Sequence, residues 1–144
     1  MEKTKWEPGE IPIMKGAFEL ADSPTGKPKL FGARCRVCGE TLFPGGQLYC
    51  PMKCSQEPTM EKVVLSPRGK LRSFTKVELG FPGFQVPYIL GIVEIEEGPW
   101  IICHIVDSDY DKLRIDMNVE ATTALILTNL KGEKVIGYAF KTAA

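Results

Sequence analysis

One histidine, His104, is all that this 144-residue sequence contains, and that shortage removes several classes of chemistry. A triad built around an imidazole would have to use this single copy, and a histidine metal site cannot be assembled from it. An excess of charge of either sign is also missing, because 18 Lys and Arg face 18 Asp and Glu. A chain held to nucleic acid by phosphate neutralisation normally carries a large cationic surplus, so the balance disfavours that partner. Long apolar runs are absent as well. The stretches Ile89–Val93 and Trp100–Val106 are far too short to cross a bilayer, and no membrane span is expected. The opening residues, MEKTKWEPGEIPIMKG, place charges and prolines where a signal peptide needs an apolar core, so a cytoplasmic, reducing location is expected. Neither of the glycine-rich phosphate loops, GxxxxGK[ST] or GxGxxG, occurs. The run Asp107, Asp109, Asp111 lacks the glycine and glutamate of a calcium loop and reads as a solvated helix start.

What is present is cysteine. Five cysteines, an odd number in a reducing compartment, argue against a disulfide framework and towards metal or reactive thiols. Cys35 and Cys38 form C-x-x-C, Cys50 and Cys54 form C-x-x-x-C, and Cys103 stands alone far downstream. A soft divalent ion takes four thiolates tetrahedrally, and two tight turns presenting two sulfurs each supply that geometry. Gly39, directly after Cys38, suits a turn that needs positive φ. Arg34, Arg36 and Lys53 are placed to offset the net negative charge of a zinc tetrathiolate. Such a zinc site is structural, since four protein ligands leave no open position; iron fits the same ligands. The competing readings are a redox C-x-x-C or unrelated buried thiols, and a redox pair accounts for only two of the four and lacks a βαβ context. Cys103 and His104 are neighbours on an expected strand, so they point to opposite faces and read as structural: a small core residue and a satisfied polar group.

The chain divides by texture into three parts. Residues 1–34 are rich in Pro and Gly and read as an extended N-terminal arm, with short strands around a turn at Asp22–Gly26 or, alternatively, a helical turn over Met14–Leu20. Residues 35–62 hold the cysteines and too little apolar matter to stand by burial alone. From 63 to 144 β-branched and aromatic runs alternate with turn signals, giving strands at Lys70–Leu79, Tyr88–Glu96, Trp100–Val106, Asn118–Thr128 and Lys134–Lys141. One or two helical turns are expected over Ser108–Ile115, capped by Ser108 or Asp109. Five strands with a short helix between the third and fourth is the element order of an OB-fold barrel; a five-stranded open sheet is the alternative. The fold class is therefore all-β.

Two features beyond the cysteines invite a binding role. Arg68, Lys70, Arg72 and Lys76 share one strand parity with Phe74, which suggests a cationic face for phosphates, or else a solvated face protecting an exposed strand. The loop with Phe81, Phe84 and, at its end, Tyr88 offers apolar surface that docks on a partner, lines an acyl channel or folds over the barrel mouth.

These residues resemble a known family, the small prokaryotic proteins that fuse a rubredoxin-like zinc ribbon to a C-terminal OB-fold and were long labelled as of unknown function. The resemblance runs from Leu30 to about Phe140. It rests on Arg34–Gly39 (RCRVCG), Leu42-Phe43-Pro44, Cys50-Pro51 with Cys54, Gly69–Thr75 (GKLRSFT), Pro87–Glu94 (PYILGIVE) with Glu97-Gly98, Leu113-Arg114-Ile115 and Met117-Asn118-Val119. It implies an acyl-CoA-associated accessory subunit that partners a thiolase-type enzyme, with zinc on Cys35, Cys38, Cys50 and Cys54. If CoA contacts this chain, its phosphates are expected at Arg68, Lys70, Arg72 or Lys76. The pattern departs from the family in the three residues between Cys50 and Cys54, where two are usual. The arm here, too, lacks the family's helical hairpin and resembles the subset paired with thiolases of aromatic or steroid breakdown. Claisen chemistry needs a nucleophilic thiolate, an imidazole base and an oxyanion hole; no such set is evident, so the catalytic residues are expected on the partner. A single-stranded nucleic-acid module and an autonomous enzyme are the other function classes, disfavoured respectively by charge balance and by the missing catalytic set.

Overall fold

Alternating β-branched and polar residues from position 60 onward favour pleated, half-buried strands, and strands dominate a computed structural model that describes residues 10–12, 18–19 and 28–143. In chain order they are β1 (Glu10–Pro12), β2 (Phe18–Glu19), β3 (Lys29–Cys35), β4 (Thr41–Leu42), β5 (Met60–Leu65), β6 (Arg68–Val77), β7 (Tyr88–Ile95), β8 (Trp100–Ile105), β9 (Asn118–Thr128) and β10 (Lys134–Thr142). Among the described residues the one helical element is a 3-10 turn, Tyr110–Lys112, whose N-cap is Asp109 with its carboxylate accepting from the Asp111 N–H. All five strands expected in the C-terminal part are present, and the protein is all-β.

Strands β6 to β10 close into a barrel in the order β10-β8-β7-β6-β9, with β9 pairing back onto β10. Most of the ladder is antiparallel. The closing seam is parallel and short, joining His104 to Ala139 and Ile105 to Phe140. Where that seam stops, β1 pairs in parallel with β10 over Lys134–Ile136, so the arm covers backbone that would otherwise be an unpaired edge. The turn expected at Asp22–Gly26, and most of the alternative helical turn, lie outside the described residues. The barrel interior holds Leu71, Val93, Ile95, Ile101, Cys103, Ile105, Val119, Ala121 and Phe140, all buried.

A second sheet carries the cysteines. β3 is its centre, flanked by β4 and β5 and extended by β2. Its lower end is continuous with the barrel interior, because Leu30 of β3 and Leu65 of β5 belong to the same buried cluster as the barrel residues. The Phe43 ring packs edge-on against Tyr138 of β10 at 5.3 Å. The Glu97 carboxylate, in the β7–β8 turn, accepts from the Ser66 N–H just after β5 at 2.8 and 3.1 Å.

One expectation fails along β6. Its register against β7 shifts between Leu71, opposite Val93, and Ser73, opposite Ile92. Arg72 is therefore the extra residue of a β-bulge, and a single inserted residue reverses side-chain parity beyond it. Phe74 packs against the barrel interior, and its ring meets Tyr110 edge-on at 5.5 Å. Lys76 follows it, with Nζ 6.0 Å from the Tyr110 ring centre. The single face carrying four cations and Phe74 does not form.

Candidate functional site

β3 ends on Cys35, so the central strand of the small sheet delivers the first thiol. The chain then turns, with the Gly39 N–H donating to the Cys35 carbonyl at 2.9 Å. Gly39 has φ +81°, the left-handed region that glycine enters without penalty, as its position after Cys38 suggests. The second turn carries one more residue than its pair, and Lys53 absorbs it at φ +56° while donating its N–H to the Cys50 carbonyl at 3.1 Å. Two turns then face each other. The four sulfurs of Cys35, Cys38, Cys50 and Cys54 all lie within 4.8 Å of one another, with Cys35 to Cys54 at 3.4 Å and Cys38 to Cys50 at 3.5 Å. A tetrahedral zinc tetrathiolate with bonds of about 2.3 Å requires sulfurs about 3.8 Å apart, so the donor set fits a four-thiolate ion with shifts of about 1 Å or less. All four cysteines are free thiols.

The sulfurs are not equivalent. Cys35 and Cys50 are buried, whereas Cys38 and Cys54 reach solvent. Thr59 approaches the Cys35 sulfur with its hydroxyl at 3.1 Å, and the Cys38 N–H lies 3.5 Å from the same atom. Those bonds hold the Cys35 thiol down at about 5. Its neighbour Cys54, sharing a proton with it, is pushed up to about 12. Ion binding at such a site takes thiolates and releases protons. Arg36 anchors the rim by donating to the Pro58 carbonyl at 3.2 Å, and Arg34 lines the open side of the first turn with Gly39.

Arg68, Lys70 and Arg72 line one cavity of about 540 Å³, together with Glu94, Glu96 and Glu120. Its cations face carboxylates. Arg72 Nε donates to Glu94 at 2.6 Å, and its Nη1 pairs with Asp116. Lys70 stands opposite Glu94 in the ladder and Arg68 opposite Glu120. Lys76, at the other end of β6, lies apart from this group.

The loop between β6 and β7 is pinned. Gly83, at φ +97°, presses its α-carbon against the end of β9, where an added Cβ would sit 2.4 Å from the Thr128 carbonyl oxygen, and the Thr128 N–H donates to the Gly83 carbonyl at 3.0 Å. Phe84, Tyr88 and His104 form a ring stack, with Tyr88 and His104 nearly parallel at 4.5 Å and Phe84 and Tyr88 at 5.8 Å. Phe81 projects outward, 80% exposed. On the same outer face of β8 as His104 come Ile102 and Trp100, both well exposed. The period-two spacing of Trp100, Ile102 and His104 is the signal that could have joined them to the loop.

Cys103 lies inside the barrel, and burial pushes its thiol up to about 12; His104 faces outward, so the two do not meet. Partial burial lowers the His104 pKa from 6.5. The folded chain thus binds fewer protons there than the unfolded chain. The resulting stability is complete above the unfolded value and is lost as pH falls towards the folded one. Urea midpoints of the wild type and His104→Gln, compared between about pH 7.5 and about pH 5.5, should converge on acidification. A constant gap would show that His104 binds protons equally in the folded and unfolded chains, with no lowering on folding.

A family model described as the ChsH2 C-terminal OB-fold domain matches residues 62–124. A DUF35 domain-containing scaffold protein of Methanocaldococcus jannaschii is 36% identical over 114 residues, covering 78% of this chain and 79% of the relative. The chain belongs to the DUF35 family. The resemblance read from the cysteine turns and strand motifs is thereby borne out. A further relative, the benzoylsuccinyl-CoA thiolase subunit BbsA of Geobacter metallireducens, is 32% identical over 143 residues, 99% of this chain and 94% of that one. Among solved structures, one described as the Ltp2-ChsH2(DUF35) aldolase superposes with a TM-score of 0.61 at 24% identity, over 81% of this chain and 86% of that chain. It shares the DUF35 fold. No helix among the described residues is long and apolar enough to cross a membrane.

Proposed function

We propose that this chain is a non-catalytic, zinc-binding accessory subunit of an acyl-CoA thiolase-type complex in the cytoplasm. The observation that carries the reading is similarity along nearly the whole chain to a thiolase subunit. The chemistry of the residues supports it. The barrel thiol Cys103 is buried and protonated, the one histidine faces away from it, and neither has the partners of a nucleophile–base pair. Catalysis then belongs to the partner subunit. Zinc on Cys35, Cys38, Cys50 and Cys54 holds the small sheet together and takes no part in turnover, since all four positions are filled by protein.

Contact with the partner is assigned to the loop bearing Phe81 and Phe84 with Tyr88, continued by Ile102 and Trp100 on the outer face of β8. Exposed aromatic residues in a pinned loop cost little ordering entropy on docking. Arg68 and Lys70 are the favoured CoA-phosphate contacts; Arg72 already holds two carboxylates, and Lys76 lies apart. The even balance of charge over the chain weighs against a nucleic-acid groove, which tracks many phosphates at once.

Co-expression with thiolase-type enzymes tests the reading. A hetero-oligomer should elute from size exclusion. Phe81→Ala combined with Trp100→Ala should weaken assembly about 30-fold or more, as loss of interface anchors does. A chain that stays alone with every such enzyme, cleaves a thioester unaided, or prefers oligonucleotides to acyl-CoA would overturn it.

A further inference from the structure

Thr59 is not among the four metal ligands, yet it touches one of them. It stands immediately before β5, and it is the only buried polar side chain among the described residues, 3% exposed. A buried hydroxyl needs a partner, and this one has the Cys35 sulfur at 3.1 Å. The backbone of the same residue is tied independently. Its carbonyl accepts from the Arg36 N–H at 3.0 Å, and the preceding carbonyl, of Pro58, accepts from the Arg36 guanidinium at 3.2 Å. Arg36, directly after Cys35, thus grips the segment with both its backbone and its side chain, and the β-branched side chain of Thr59 has few rotamers with which to swing away.

The direction of the bond follows from the chemistry of the sulfur. A metal-bound cysteine is a thiolate, which has no proton to give and can only accept. The Thr59 hydroxyl must then donate. Four thiolates around a divalent ion leave a net negative charge in a partly buried place, and a donor aimed at one sulfur disperses it without solvent.

We infer that Thr59 is a positioning residue of the metal centre, whose hydroxyl donates to the Cys35 thiolate and governs how tightly and how long the ion is held. The inference rests on the metal reading proposed above. It concerns a side chain that ligates nothing.

The test uses the full chain loaded with Zn²⁺ or Co²⁺, with affinity measured by competition against a chromophoric chelator. Thr59→Val keeps the shape and removes the donor. It should lose about tenfold or more in Zn²⁺ affinity, as loss of an outer-shell partner does, and should release the ion faster. Its sulfur-to-cobalt charge-transfer band should move to longer wavelength, because an unbonded thiolate gives up electron density more readily. Thr59→Ser should restore affinity, release rate and band position. If the Val variant folds poorly, Thr59→Ala against Thr59→Ser isolates the hydroxyl alone, and the same differences are expected. A Val or Ala variant equal to its hydroxyl-bearing counterpart in all three readouts overturns the inference while leaving the metal centre intact. A wild-type chain that binds neither ion overturns both.

Discussion

Replacing Cys35 by serine is expected to empty the metal centre and melt the small sheet while leaving the barrel folded. Cys35 is fully buried and belongs to a cluster of only four buried residues, with Ala33, Cys50 and Met60. A core that small cannot offset the entropy of ordering the two turns. On the proposed metal reading a bound ion supplies the difference, and structural zinc sites bind with about 10–16 kcal/mol of apparent free energy at neutral pH. The serine oxygen is a poor ligand for a soft site. Metal analysis should fall from one zinc per chain to a small fraction of that, and amide signals from residues 35–60 should lose dispersion while those of β6 to β10 keep theirs. Cys54→Ser should do less, since Cys54 sits at the exposed rim. A Cys35→Ser protein with full zinc and an intact small sheet would refute the metal reading.

The second large effect belongs to the barrel. Phe140→Ala should cost about 3–5 kcal/mol, a large share of the 5–15 kcal/mol typical of a domain. Phe140 is 0% exposed and is the largest fully buried side chain among the described residues. Its backbone pairs with Ile105 across the parallel seam and with Ala121 in β9, and its carbonyl accepts from the Val106 N–H at 2.9 Å. Few neighbours can move into the vacated space without opening the seam. Urea unfolding monitored by circular dichroism should show the drop with zinc content unchanged. A loss below about 1 kcal/mol would mean that the interior collapses freely around the gap.

The parts legible in the sequence are those where one physical rule acts alone. Sulfur spacing predicts the metal cluster because tight turns leave thiols little choice of direction. Period-two patterning between turn residues locates β7 to β10 within one or two residues. The four-cation face fails because a bulge at Arg72 leaves no mark on composition; it depends on the register of β6 against β7. Thr59 escapes for a related reason. A threonine ahead of a β run is unremarkable until the fold sets it 24 positions away in sequence against Cys35. The ring stack of Phe84, Tyr88 and His104 likewise joins a loop to a strand that only the barrel brings near.

β6 and β7 run from the Glu97 turn, beside the first cysteine pair, to the aromatic loop at the far end. Ten residues of strand in β6 span about 33 Å. The Glu97–Ser66 bond and the Phe43–Tyr138 contact brace one extremity, and Gly83 is clamped at the other. A partner enzyme that met both ends would be held at a set distance, and loss of a bound ion would disturb one end alone.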